Sequence, residues 1–117
     1  MRVLFLVAAT LLLAPAAALA QEKDPARLAA IQASLQFTGC TYEKLNQLED
    51  GVTGAEYVAD AAMSACGDAL DTYVSLQAKA APDHDAAYWR TDILEHHKAN
   101  LVYMILVGRK QARAKQK

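Results

Sequence analysis

Cysteine is scarce in this chain: Cys40 and Cys66 are the two present. They form no C-x-x-C pair and no C-x-x-C-H run. The spacings of paired metal-ligand thiols and of covalently attached haem are therefore missing. Glycine is sparse too, and no glycine-rich phosphate-binding loop occurs. No serine, threonine or cysteine has a partner at nucleophile–base spacing. The formal net charge is −1, which does not suit a nucleic-acid binder. No catalytic residue is assigned, and the chain reads as a non-enzyme. Long hydrophobic runs are also lacking. The longest, Val3 to Leu13, is interrupted by Thr10 and falls short of the roughly 20 residues a membrane span needs.

That run has another use. Arg2 supplies a positive start, Pro15 ends the apolar stretch, and Ala18-Leu19-Ala20 is an A-x-A cleavage site. Residues 1–20 thus read as a secretory signal peptide. The mature chain begins at Gln21, with no membrane span, and residues 21–117 make one small domain. The residue directly after the cleavage site is Gln21 and not cysteine, which argues against a lipid anchor. The short signal and alanine-rich composition suit a bacterium, so the expected address is the periplasm or the medium.

An oxidising address changes the reading of two lone cysteines. Each lies thirteen positions from Thr53, where the helical pattern breaks. Two helices folding back at Thr53 bring Cys40 and Cys66 level. The expected fold is all-α: a three-helix bundle whose first two helices form a disulfide-linked antiparallel hairpin. A small exported domain gains from such a staple.

Asp24 and Pro25 start the first helix as N-cap and first helical residue. Leu28, Ile31, Leu35, Tyr42, Leu45 and Leu48 mark its apolar stripe. Despite Gly39 the helix is read as continuous to about Glu49. Asp50-Gly51 ends it, glycine taking the left-handed conformation. Thr53 to Glu56 matches a capping box, with Val52 and Tyr57 at the staple positions. The second helix then runs from Gly54 to about Ala80, with Val58, Ala62, Ala65, Cys66, Ala69, Tyr73, Leu76 and Ala80 on one face. Pro82 closes it. Asp83 or Asp85 caps a third helix, from about His84 to Ala112.

Leu101, Val102, Tyr103, Met104, Ile105, Leu106 and Val107 leave that third helix no polar face. A helix apolar all round is buried or meets a partner. This segment is the expected interface, for a second copy or another protein. Docking against the N-terminal half of the first helix is the alternative. The tail 109–117 holds Arg109, Lys110, Arg113, Lys115 and Lys117 and no acid, as suits a helix C-terminus.

Histidines give weak site candidates. Asp92 and His96 share a helix face, but a metal site needs more ligands. His97 with Met63 or Met104 offers axial ligands for b-type haem, which needs no covalent motif. Asp83, His84 and Asp85 sit in a loop, and Trp89 either packs on the hairpin or anchors a partner. No metal or cofactor is assigned.

Cys40, then Glu56, Tyr57, Val58, Ala59, Asp60, Ala61 and Ala62, then Ala65 and Cys66 form a pattern. It resembles that of small uncharacterised exported helical proteins of proteobacteria. That resemblance implies export and a helical fold, and no activity. A looser likeness is to periplasmic acid-stress chaperones of the HdeA type, which are short, all-helical and held by one disulfide. It implies a bundle that acid loosens to expose apolar surface. The leading expectation is a non-catalytic interaction or structural protein. An acid-stress chaperone and a haem or metal carrier are the alternatives.

Overall fold

The computed structural model describes residues 23–116; the expected signal peptide, residues 1–20, lies outside them. The described chain is all-helical: α1 (Pro25–Leu48), α2 (Ala55–Ser64), α3 (Gly67–Ala80) and α4 (Ala86–Lys115). The three-helix expectation is corrected to four, because the segment read as one helix from Gly54 to Ala80 is interrupted. Cys66 leaves helical geometry at φ −111° and ψ 30°, and its N–H bonds to the Met63 carbonyl at 3.1 Å. The next residue is Gly67, a poor helix former by about 1 kcal/mol relative to alanine. The physical reason for the break is divided packing. α3 lies mainly along α1 and touches α4 as well, whereas α2 divides its packing about evenly between α4 and α1. A straight rod does not follow both partners, and the axis turns where glycine makes turning cheap.

The helix edges follow local chemistry. The Asp24 carboxylate accepts from Ala26 N–H at 3.0 Å, with Pro25 behind it. Asp85 does the same for Tyr88 N–H at 2.9 Å, so α4 starts after His84. α1 runs through Gly39 unbroken, and Gly51 takes φ 82°. The capping box at Thr53 does not form. Thr53 donates its hydroxyl and its N–H back to the Asp50 carboxylate, at 2.5 and 2.7 Å. These charge-assisted bonds tie Thr53 to the turn before the helix. Gly54 is left as N-cap without a side-chain bond, and the intended staple pair, Val52 and Tyr57, is exposed. Those bonds hold the Asp50 carboxyl at about 2.

The disulfide Cys40–Cys66 joins α1 to the α2–α3 junction, with Cα atoms 6.1 Å apart. It sets which side of α1 faces inward. Ala30, Ala33, Phe37, Thr41 and Leu45 are the buried residues of that helix. The leucine stripe holds at Leu45 and is otherwise corrected: Leu35 is 60% exposed, and Tyr42 and Leu48 are also on the surface. Alanines at Ala30, Ala33, Ala59 and Ala62 let the axes approach. Phe37, Leu45, Val58, Met63, Leu70, Val74, Ile93, Leu101 and Ile105 fill the core.

Candidate functional site

α4 carries most of the chemistry in this fold, because its long body passes the other three helices. It packs on α2 and α3 and reaches α1 through side chains. Ile93, Leu101 and Ile105 form its buried face. Two polar bridges flank that face.

The first bridge is His97. Its ring lies 4.7 Å from Phe37 and 6.4 Å from Tyr42, nearly parallel to the latter at 13°. His97 Nε2 is 2.7 Å from Thr41 Oγ1. Thr41 is fully buried and donates its one proton to the Thr38 carbonyl at 3.0 Å. Its oxygen is left to accept, so neutral His97 carries its proton on Nε2. Burial pushes the His97 imidazole below its ordinary value. An axial haem bond through Nε2 requires breaking this contact and parting His97 from Phe37. Met63 is buried on α2 and Met104 is half-exposed.

The second bridge is Arg109. Its guanidinium donates to both Glu49 oxygens, at 2.6 and 3.0 Å, and to the Thr53 carbonyl at 2.6 Å. The two side chains are mostly covered, 15% and 25% exposed. The Arg109 hydrogen bonds hold the Glu49 carboxyl below its usual range. Beside this pair, Leu45, Met104, Ile105 and Gly108 line a cleft of about 380 Å³.

The other candidates make local contacts. His96 Nδ1–H donates to the Asp92 carbonyl at 2.8 Å, which raises the exposed imidazole, and the Asp92 charge adds to the effect. Among the described residues, no group of three or more His, Cys, Asp or Glu is placed to hold a metal ion. His84 stacks on Tyr88 at 3.6 Å, with Trp89 edge-on. Trp89 Nε1–H donates to the Ala81 carbonyl at 3.1 Å, pinning the start of α4 to the end of α3.

The expected interface divides. Leu101 and Ile105 belong to the core, while Tyr103 (69% exposed), Met104 and Leu106 (52%) face outward. Val102, Tyr103 and Leu106 join Ala99, Glu95, Lys98 and Glu56 around an open groove of about 530 Å³. The basic tail is the last part of the helix, which extends to Lys115. Among the described residues no helix is long and apolar enough to cross a membrane.

Thr41 and the Glu49–Arg109 pair escaped the sequence reading. Thr41 was traceable: it follows Cys40 directly and stands four residues after Phe37, on the side the disulfide turns inward. No local signal joins Glu49 to Arg109, sixty positions away. No family model, no curated protein and no solved structure matches this chain.

Proposed function

We propose that this is an exported, non-catalytic interaction protein that associates with a second copy through the outer face of α4. The observation that carries the reading is the outward apolar strip of Ala99, Tyr103 and Leu106, with half-buried Val102 at its inner edge. It lies on a helix whose inner face is already buried. Exposed apolar surface concentrated in one groove marks interaction sites. The Cys40–Cys66 bond supports a periplasmic or secreted address, since disulfides persist in oxidising compartments. Light scattering coupled to size exclusion is expected to give twice the monomer mass, and Leu106→Glu the monomer mass. A wild-type chain that elutes as a monomer at every concentration, and whose mass Leu106→Glu leaves unchanged, removes the reading.

A second reading, an acid-stress chaperone, is favoured by the charge layout around α4. Arg90, Lys98 and Arg109 of α4 pair with Asp71 of α3, Asp60 of α2 and Glu49, the C-cap of α1. Each tie thus places the acid on α1–α3 and the base on α4. Protonating the carboxylates removes all three, while the disulfide keeps α1–α3 together. His97 and the 49–50 carboxylates push in the same direction. Their folded-state values are depressed, so their stabilisation is complete above the ordinary values and lost as pH falls through the folded ones. His96, raised, acts oppositely: its contribution is complete below its ordinary 6.5 and lost as pH rises through the folded value. Melting temperature is expected to fall in two stages on acidification, first with His97 below about 6.5 and then with the carboxylates. His97→Gln, which can donate to Thr41 without titrating, is expected to flatten the first stage. Aggregation of a client protein at acid pH is expected to drop when the protein is added. An undiminished client signal ends this second reading.

A further inference from the structure

The outer face of α4 has an order that fixes how a second copy would meet it. Glu95, Ala99, Val102, Leu106, Lys110 and Arg113 recur at steps of three and four along one side of the helix. That spacing keeps a seam facing a partner helix. Along the seam the chemistry is graded. Glu95 stands at one end, apolar residues hold the middle, and Lys110 and Arg113 stand at the other; Glu95, Lys110 and Arg113 are all exposed.

We propose that two copies pair α4 against α4 in antiparallel orientation, with the twofold axis between Val102 and Tyr103 and Glu95 facing Lys110 of the partner subunit. This rests on the self-association reading above and adds its orientation and register. Three considerations select it. A parallel pair sets Glu95 against Glu95 and Lys110 against Lys110, and like charges held opposite each other destabilise. The antiparallel pair converts both clashes into attractions. It also brings small Ala99 opposite Leu106 of the partner subunit, so a gap meets a projection in the apolar centre. Finally, it opposes the two helix macrodipoles, each positive at its N-terminal end.

Charge reversal tests the register on the full chain. Glu95→Lys and Lys110→Glu, each alone, are expected to weaken dimerisation about tenfold, since each turns two attractions into two repulsions. The double variant E95K/K110E is expected to recover wild-type dimerisation. An equimolar mixture of the two single variants is expected to form a heterodimer tighter than either homodimer. Both residues are exposed, and circular dichroism checks that the variants stay folded. Sedimentation equilibrium reads the dissociation constants. Single variants as tight as wild type, or a double variant no better than the singles, overturn the register while leaving self-association standing. A monomeric wild type overturns both.

Discussion

Replacing Cys40 and Cys66 together with serine is expected to lower stability by about 3.5 kcal/mol, from closing a loop of this length in the unfolded chain. The two residues are separated by 26 positions. For a domain of this size the loss corresponds to a fall in melting temperature of roughly 15–25 °C. The effect has an enthalpic side as well. Cys66 is buried at the break between α2 and α3, and serine puts a hydroxyl there. Thermal melts of the oxidised protein, with and without reductant, measure the bond without any substitution. The reduced protein is expected to match the serine variant to within the difference made by that hydroxyl. A reduced form that melts within a few degrees of the oxidised one contradicts the staple's role.

Phe37→Ala is expected to cost about 3–5 kcal/mol, as for a large aromatic removed from a packed core. Phe37 is 1% exposed, and it stands between His97 of α4 and Tyr73 of α3, with ring centroids 4.7 and 6.3 Å away. Its loss empties the place where α1, α3 and α4 meet. Leu35→Ala is the informative control. Leu35 is 60% exposed, so its truncation is expected to stay within about 0.5 kcal/mol. Urea denaturation of the two variants decides which face of α1 is inside. Comparable costs for both contradict the packing described here.

That contrast shows where the sequence was legible and where it was not. The helix start at Asp24-Pro25 was legible, and that of α4 was narrowed to Asp83 or Asp85, because capping is a contact between near neighbours. So was the reversal at Gly51, where only glycine accepts the backbone angle cheaply. Apart from Leu45, which is buried, the apolar stripe of α1 was misleading. Leu28, Ile31, Leu35 and Tyr42 mark one face, whereas Ala30, Ala33 and Phe37 mark another, and hydrophobicity alone favours the leucines. Packing favoured the alanines, since small side chains admit the close approach of α3. Cys40 lies three residues from Phe37 and seven from Ala33, so the phase of the cysteine held the answer that the leucines obscured.

The turn at Thr53 failed for a different reason. The capping-box residues are present, but Asp50 lies within reach of the same hydroxyl. A hydroxyl can donate and accept at once, but with Thr53 tied to Asp50 the N-cap falls on Gly54, and no side-chain cap bond forms. The candidate surface shows the same mixture. The run from Leu101 to Val107 announced a helix too apolar for solvent, yet could not say which residues the core would take. Leu101 and Ile105 went inward and Tyr103 and Leu106 stayed outside, because α2 and α3 cover one side of α4.

By itself the amino-acid sequence determined the helical class, most helix ends and the pairing of two cysteines spaced evenly about a turn. These depend on backbone geometry and on groups a few positions apart. The tertiary structure alone decided the break at Cys66, the inward face of α1, the His97–Thr41 and Arg109–Glu49 bridges, and the strip of α4 left uncovered. Each of those depends on which helices touch, and contact between distant segments is settled by the packing of all four at once.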